Sequence, residues 1–332
     1  MKILCISKKG KLERFVTDPA FYEKYEIVYA GIESTDEEIL AAGSDADYII
    51  VDAITPVSAY VIDNMPNLRM IHSEGVAYNG IDLEAANRRH IYVCNSKGMN
   101  ATAVAEQTVL LMLGVLRDVV NGDKAVKAGR QIDVKTDYMV NGSLKEIADC
   151  TIGFIGFGDI ARATAKIVNV LGGKVIYYKR NPLTEEEERE FNASYMPLDE
   201  LLAESDMVNL SVPVTPETFH MADERFFAKM KKGSYLINAG RGELVDSKAL
   251  LDAIRSGKLA GAGLDTLEDE PIKKDNIMLM AEPEVVDKIL MSPHIGGITA
   301  SSFARGFKMI VNDLAKMEKG EKPDHVVNDW KE

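Results

Sequence analysis

Cysteine and histidine are scarce in this chain, which limits the kinds of site that it can form. The 332 residues include only three cysteines and five histidines. Cys5, Cys94 and Cys150 lie in or beside apolar, strand-like runs that are far apart in sequence, so we expect buried, reduced thiols. Neither the cysteines nor the histidines cluster at metal-ligand spacing. The sequence therefore predicts no metal site and a cytoplasmic protein.

Positive charge is also in deficit. There are 39 lysines and arginines against 52 acidic residues, a formal net charge of −13. An acidic chain is a poor partner for nucleic acid or for an anionic membrane. The apolar run at residues 3–6 is too short for the core of a signal peptide, and no other run approaches the length of a membrane span. We expect a globular protein that binds neither nucleic acid nor a membrane.

Short apolar, β-rich runs alternate along the chain with helical patterns. Thr35 followed by Glu38 forms a capping box that marks one helix start. Alternating strands and helices predict parallel sheets covered on both faces. We therefore expect an α/β protein with two doubly wound parallel-sheet domains. The predicted strands are residues 2–6, 26–30, 47–52, 68–72, 91–94, 151–155, 174–178, 193–196, 207–212, 234–239, 260–265 and 288–292.

Helical spacing of apolar residues fills the interval between the two sets of strands. It predicts one long helix over residues 101–118 and a second helical pattern that ends at about Gly129. Residues 130–146 look irregular and polar, which indicates an arm or connector. A last helical pattern runs from about Thr299 to Met317.

A glycine fingerprint opens the second set of strands. Residues 151–155 are strand-like, Gly156 and Gly158 follow, and a helical pattern begins at Asp159. With Ala161 in the third position this is the dinucleotide-binding pattern G-x-G-x-x-G/A, in which the glycines permit a tight turn and close approach of a pyrophosphate. The helix N-terminus adds free N–H groups and a positive dipole end. A glycine-rich turn in another kind of α/β protein is the alternative interpretation.

Four chemically active side chains follow predicted strands of this second set. They are Arg241, Asp265, Glu270 and His294. Ligands of open parallel sheets bind at the carboxyl ends of the strands, so these side chains are expected to converge there. Each residue alone also has a plain interpretation as a surface ion pair or a structural turn. Packing or peripheral positions are expected for the remaining histidines, His72, His90, His220 and His325, and a pocket role is the alternative for His72, which ends a strand.

Taken together, these motifs resemble the D-isomer-specific 2-hydroxyacid dehydrogenases over nearly the whole chain. The resemblance implies a flavodoxin-like substrate domain at residues 1–99, completed by residues 298–332, and a Rossmann NAD(P)-binding domain at residues 100–297. The matching segments are Ile81–Ala86, Ala103–Glu106, the glycine fingerprint, Pro213–Thr218, Asn238–Gly242, Gly263–Asp265, Glu270–Pro271 and Ser292–Gly297.

The resemblance also implies residue roles. Arg241, Glu270 and His294 are the implied catalytic set, and Asp265 is implied to hold the nicotinamide carboxamide. Cofactor contacts are implied for Gly156, Gly158, Asp159, Ile160, Lys179, Arg180, Val212, Pro213, Thr218, Ala239, Gly240, Asp265, His294 and Gly296. Substrate contacts are implied for the backbone N–H groups of Gly75, Val76 and Ala77 and for the side chains of Arg241 and His294.

The chemistry of these side chains agrees with the implied roles. The planar fork of Arg241 can bind the carboxylate of a 2-oxo acid through two parallel hydrogen bonds. His294 in its protonated form is a suitable proton donor to the developing alkoxide near neutral pH. Glu270, if adjacent, favours that protonated form because the opposite charge stabilises it.

Two features bear on cofactor and substrate. Lys179 and Arg180 stand where NAD-specific relatives carry an acid, which favours NADP(H), although NAD(H) stays possible. The loop at residues 52–55 has an acid and no base, which disfavours a phosphorylated substrate. We therefore expect reduction of glyoxylate, hydroxypyruvate or pyruvate. A phosphonate-type dehydrogenase and a non-catalytic, nicotinamide-sensing protein are the alternatives.

Relatives pair through the cofactor domain, so we expect a homodimer through the helix at 101–118 and its extension.

Overall fold

Parallel strands and their connecting helices divide the chain into two units in the computed structural model, which describes residues 1–330. The N-terminal unit consists of residues 1–100 together with the C-terminal residues from 298 onward. The central unit consists of residues 101–297.

The N-terminal unit is a five-stranded parallel sheet in the order β2-β1-β3-β4-β5, which is the flavodoxin-like order. Its strands are β1 (Lys2–Ile6), β2 (Glu26–Ala30), β3 (Tyr48–Val51), β4 (Met70–Ser73) and β5 (Tyr92–Cys94). Its helices are α1 (Lys11–Phe15), α2 (Pro19–Lys24), α3 (Asp36–Gly43), α4 (Ala59–Asp63), α5 (Leu83–Arg88) and, near the end of the chain, α16 (Ala300–Glu318).

Local sequence signals explain several of these elements. The predicted capping box forms at the start of α3, where Thr35 Oγ1 accepts the Glu38 N–H and Glu38 accepts the Thr35 N–H. Strands β3 and β4 are buried throughout, as expected for inner strands of a parallel sheet. The segment that follows α16 pairs with β5, since Val326 forms an antiparallel bridge with Cys94.

The central unit is a seven-stranded parallel sheet in the order β12-β11-β10-β9-β6-β7-β8, with the strand order reversing between β6 and β9. Its strands are β6 (Thr151–Ile155), β7 (Lys174–Tyr178), β8 (Ala193–Tyr195), β9 (Met207–Leu210), β10 (Ser234–Asn238), β11 (Leu259–Leu264) and β12 (Ile289–Met291). Its helices are α6 (Ala101–Leu116), α7 (Val119–Lys127), α8 (Gln131–Asn141), α9 (Asp159–Val170), α10 (Glu185–Phe191), α11 (Leu198–Glu204), α12 (Glu224–Lys229), α13 (Ser247–Arg255), α14 (Ile277–Met280) and α15 (Pro283–Val286).

These two sheets confirm the predicted α/β class with two doubly wound parallel sheets. Reversal of strand order at β6 and β9 is the arrangement of dinucleotide-binding folds, and it creates a crevice at the carboxyl ends of those strands. Within residues 1–330, every helix is too short or too polar to cross a lipid bilayer.

The prediction of an irregular connector at residues 130–146 was wrong for most of its length. Gln131–Asn141 form α8, which ends at Gly142 in the left-handed conformation. None of the residues of α8 is buried, so no face of this helix packs against the core. Its sequence therefore does not need apolar residues at helical spacing, which is the signal that predicts a helix. Tyr138 secures it, because its hydroxyl donates to Asp118 at 2.8 Å.

Candidate active site

The glycine fingerprint forms the turn between β6 and α9. Gly156 has φ +85°, and a Cβ added there would lie 2.2 Å from the Ser211 carbonyl oxygen. Both facts require glycine at this position. Ala161 is fully buried, as expected for the small third residue of the pattern.

The N-terminus of α9 is open. Its N-cap is Gly158, which has no side chain to accept the N–H groups of the first turn at Asp159 and Ile160. A Cβ added at Gly158 would meet nothing within 4 Å. Free N–H groups, a positive dipole end and open space fit the pyrophosphate of a dinucleotide.

Lys179 and Arg180 follow β7 directly, on the segment where a dinucleotide-binding fold receives the adenosine ribose. Lys179 is half-buried and Arg180 is exposed. Within residues 1–330, neither side chain lies within 4.0 Å of a carboxylate. Arg180 is nevertheless near Glu217, whose pKa is lowered first by the Thr215 hydroxyl and also by the Arg180 charge. At these distances both cations can still meet an anionic ligand.

The loop after β9 carries the predicted cofactor contacts Val212, Pro213 and Thr218. The Thr218 hydroxyl is already used within this loop, since it donates to the Pro213 carbonyl at 2.6 Å and accepts the Thr215 N–H at 2.8 Å. Thr218 thus shapes the loop, and its role as a direct cofactor contact stays a prediction. Val212 lies beside the Gly156 turn.

The turn after β10 presents Arg241. Asn238, which is fully buried, shapes this turn because its side chain accepts the Gly240 N–H at 3.0 Å and donates to the Arg241 carbonyl at 2.8 Å. Ala239 lies within the same turn. The Arg241 guanidinium is exposed, donates to the Gly240 carbonyl at 2.8 Å, and forms no ion pair within the described residues. It can therefore meet a substrate carboxylate.

The turn after β10 also lies against the loop after β11. A Cβ added at Gly242 would lie 1.9 Å from the Leu267 carbonyl oxygen, so only glycine permits this contact. Because Leu267 and Glu270 belong to one loop, the Arg241 turn and the Glu270 loop adjoin each other at the carboxyl edge of the sheet.

Glu270 and His294 form a hydrogen-bonded pair. Glu270 Oε2 lies 2.6 Å from His294 Nδ1, and Glu270 Oε1 accepts the Leu267 N–H at 2.8 Å. The side chains are 33% and 47% exposed respectively, so the pair is open to solvent on one side. With Nδ1 directed at the carboxylate, Nε2 is the nitrogen left to exchange a proton with a ligand.

Asp265 is buried and holds the His294 loop. Its carboxylate accepts the Ser292 hydroxyl at 2.5 Å, the Ile295 N–H at 3.0 Å and the Gly296 N–H at 2.7 Å. A carboxylate has about four acceptor positions, so one remains for a nicotinamide carboxamide. The structure therefore adds a positioning role to the implied cofactor contact, which stays a prediction.

His220 is less peripheral than the sequence suggested. Its Nε2 lies 2.5 Å from Glu268 Oε1, and its backbone N–H donates to the Glu243 carbonyl. Glu268 also accepts the Ser247 N–H. His220 thus ties the loop after β9 to the loop that carries Glu270. Sequence reasoning missed it because 48 residues separate the two partners.

In the N-terminal unit, the predicted substrate loop follows β4. Within the described residues, the backbone N–H groups of Val76 and Ala77 donate to no protein acceptor, whereas the Gly75 N–H donates to Ser73 Oγ at 3.2 Å. Two of the three predicted donors are therefore free. Glycine is needed at position 75 for close approach, because a Cβ there would lie 2.6 Å from the Ala53 Cβ.

A lysine that sequence reasoning missed lies beside this loop. Lys11 Nζ is 2.5 Å from Glu74 Oε2 and 3.4 Å from Asp52 Oδ2. Burial raises the pKa of the Glu74 carboxyl, and Lys11 opposes that rise. One lysine against two acids leaves this edge without the excess positive charge that a phosphate needs.

Known proteins resemble this chain in sequence. The family model described as "D-isomer specific 2-hydroxyacid dehydrogenase, NAD binding domain" matches residues 109–296. A glyoxylate reductase of Pyrococcus furiosus is 34% identical over 293 residues, which cover 88% of this chain and 85% of that protein.

Solved structures extend the likeness to nearly the full chain. The apo D-mandelate dehydrogenase of Rhodotorula graminis has a TM-score of 0.85 and 27% identity, and the match covers 99% of this chain and 98% of that one. An NAD-complexed D-isomer specific 2-hydroxyacid dehydrogenase of Lactobacillus delbrueckii ssp. bulgaricus has a TM-score of 0.82 and 27% identity, with 99% and 100% covered.

Proposed function

The chain belongs to the D-isomer specific 2-hydroxyacid dehydrogenase family, and on that premise we propose that it reduces a small, unphosphorylated 2-oxo acid to the D-2-hydroxy acid. The observation that carries this proposal is the His294–Glu270 pair at 2.6 Å, on a loop that leaves His294 Nε2 free. A protonated imidazole held in this way can donate a proton to the alkoxide that forms on the carbonyl oxygen.

Arg241 binds the substrate in this proposal. Its guanidinium is exposed and has no carboxylate partner within residues 1–330, so it can bind the substrate carboxylate and polarise the keto oxygen. The implied substrate contacts of Gly75, Val76 and Ala77 in the N-terminal unit stay a prediction. NAD(P)H, when bound, supplies the hydride.

The proposed substrates are glyoxylate, hydroxypyruvate and pyruvate. The acids around Lys11 disfavour a phosphorylated substrate, and the relative from Pyrococcus furiosus is a glyoxylate reductase. An initial-rate panel of these three acids, with 3-phosphohydroxypyruvate as the matched phosphorylated control, tests the proposal. We expect the highest kcat/KM with an unphosphorylated acid. No turnover with any of them, despite nicotinamide binding, would favour a non-catalytic nicotinamide sensor.

The proposed cofactor preference is NADP(H), and the support is the pair of unpaired cations after β7. Lys179→Met together with Arg180→Gln should raise the KM for NADPH by at least about tenfold more than the KM for NADH, since each charge-assisted phosphate contact contributes about 1.5–3 kcal/mol. Lys174→Met, which changes an exposed lysine at the other end of β7, is the matched control. Equal changes for both cofactors would show that the two cations do not bind the 2′-phosphate.

We further propose a cytoplasmic homodimer that pairs through the central unit. Helices α6 to α8 expose several large apolar side chains, a feature of interaction surfaces: Leu110, Val119, Val126, Ile132, Met139 and Val140. Leu110→Glu, at a side chain that is 54% exposed, should yield a monomer by light scattering at micromolar concentration. A monomeric wild-type chain under the same conditions would contradict the proposal.

The three free, buried cysteines agree with a reducing compartment.

A further inference from the structure

Three side chains that are remote in sequence meet inside the N-terminal unit. They are His72 on β4, Asp313 on α16 and His325 on the segment that follows α16. Asp313 Oδ2 lies 3.2 Å from His72 Nε2 and 2.9 Å from His325 Nδ1. All three donor atoms lie within 4.8 Å of one another. None of these residues belongs to the candidate active site.

This cluster is almost closed to solvent. His72 and Asp313 are fully buried, and the His325 side chain is 26% exposed. Within residues 1–330, no lysine or arginine lies within 4.0 Å of the Asp313 carboxylate. Lys316, which is one turn further along α16, pairs with Asp324 instead. The negative charge of Asp313 therefore has only the two imidazoles as its side-chain partners.

The hydrogen bonds of His72 define its tautomer. Its Nδ1 lies 2.8 Å from the Ser73 carbonyl oxygen, which can only accept, so Nδ1 carries a proton. A neutral imidazole then has a lone pair on Nε2, and this lone pair points at a carboxylate oxygen 3.2 Å away. Two acceptors that face each other in a buried site require a positive group between them, either a second proton or a metal ion.

Two of the three donor-atom separations suit a metal ion, and the third, between His72 Nε2 and His325 Nδ1, is at most 4.8 Å. Two ligands at about 2.0–2.1 Å from an ion, at angles between 90° and the tetrahedral value, lie about 2.9–3.4 Å apart. The observed separations of 3.2 Å and 2.9 Å from Asp313 Oδ2 fall in that interval. Two imidazoles and one carboxylate are ligands typical of first-row divalent metals such as Zn²⁺. We propose that His72 Nε2, Asp313 Oδ2 and His325 Nδ1 bind a divalent transition metal at a structural site.

The hydrogen bonds around two of the three proposed ligands match those of a metal site. Histidine ligands usually donate their other ring N–H to a carbonyl or carboxylate, and His72 donates to the Ser73 carbonyl. Ligating carboxylates are in turn hydrogen-bonded, and Asp313 Oδ1 accepts the Asp324 N–H at 2.9 Å. The partial exposure of His325 provides an entry path from solvent.

The site would fasten the C-terminal segment to the sheet. His325 is followed by residues that pair with β5, where the Asn95 N–H donates to the His325 carbonyl and the Val327 N–H donates to the Val93 carbonyl. A metal ion joins β4, α16 and this segment through one centre. Its removal should loosen the segment first, because only His325 of the three ligands lies on it.

The test uses the full-length chain treated with EDTA and then titrated with Zn²⁺ at pH 7.5. Calorimetry should give one Zn²⁺ per chain with a dissociation constant of about 1 µM or tighter. Zn²⁺ should slow amide exchange in residues 324–328, measured by mass spectrometry, and Co²⁺ should give visible d–d absorption bands. Both His325→Gln and the isosteric Asp313→Asn should weaken binding by about 100-fold or more.

Asp324→Asn is the matched control, since Asp324 is an acid on the same segment whose side chain pairs with Lys316. It should bind Zn²⁺ as the wild type does. The proposal is overturned if no Zn²⁺ binds, or if His325→Gln and Asp313→Asn bind it unchanged. It is also overturned if nitrogen NMR shows His72 protonated on both ring nitrogens in saturating Zn²⁺, because a proton then fills the position of the metal.

Discussion

Two histidine–carboxylate pairs in this chain have similar chemistry and opposite surroundings. In the central unit, His294 and Glu270 are 2.6 Å apart and 47% and 33% exposed. In the N-terminal unit, His72 and Asp313 are 3.2 Å apart and fully buried. The first pair ends on a free imidazole nitrogen, whereas the second has both imidazole nitrogens directed at acceptors.

The difference shows how burial separates catalysis from structure. An exposed imidazole can take a proton from water and give it to a ligand, so its charge can change during a reaction. A buried carboxylate beside an imidazole keeps the proton or metal ion that lies between them. Loss of that positive group would leave the negative charge of the carboxylate uncompensated in a low-dielectric interior. Four predictions test or sharpen this contrast, from the largest expected effect to the smallest.

Replacing the exposed histidine should remove catalysis and spare stability. His294 has φ +53°, a conformation that asparagine adopts readily, so His294→Asn keeps the backbone. We expect the single-turnover rate of reduction to fall by about 10²–10⁴-fold, the usual contribution of general acid catalysis. His90, which also has φ +53°, provides the control His90→Asn, which should keep its rate. Equal loss of rate in both variants would show that His294 is not the proton donor.

Removing the buried carboxylate of Asp313 should lower stability and leave the reaction rate unchanged. Asp313→Ala leaves His72, His325 and the Asp324 N–H without their acceptor. We expect the free energy of unfolding of the N-terminal unit to fall by about 3–5 kcal/mol in urea denaturation. The rate per folded molecule should stay close to that of the wild type. A loss below about 0.5 kcal/mol, the size of an ordinary surface substitution, would contradict the structural role.

Neutralising Glu270 should slow proton donation by His294. Glu270→Gln removes the carboxylate oxygen that lies 2.6 Å from His294 Nδ1 and keeps the shape of the side chain. We expect the single-turnover rate of reduction to fall by about 10–100-fold, since a hydrogen bond to a charged group contributes about 1.5–3 kcal/mol. An unchanged rate would separate Glu270 from His294.

The His220–Glu268 pair is intermediate in exposure, at 31% and 21%, and should have an intermediate effect. Glu268→Gln weakens the bond to His220 and leaves one acceptor for the Ser247 N–H. We expect a loss of about 1 kcal/mol in the free energy of unfolding, since solvent screens part of the pair. The single-turnover rate should fall less than tenfold. A fall as large as that of His294→Asn would place Glu268 in direct contact with the reacting groups.

Local sequence patterns were sufficient to predict the strands and the α/β class. Strand β6 at residues 151–155 and strand β7 at residues 174–178 lie where the apolar runs placed them. The turn after β6 has the positive φ at Gly156 that a tight glycine turn requires. Such features depend on residues close in sequence, so each segment contains its own signal. Helix α8 was missed for the same reason, since an exposed helix has no apolar period to detect.

Only the tertiary structure decided which side chains are partners. Glu270 and His294 are 24 residues apart, and His72 and Asp313 are 241 residues apart, so no local pattern joins them. The first pair was anticipated because motifs at strand ends imply a shared edge, whereas His72 and His325 had no such motif. Sequence by itself determined the strands, the turn glycines and the kinds of chemistry available. Folding decided burial, and burial determines whether a histidine beside a carboxylate exchanges its proton or holds the structure together.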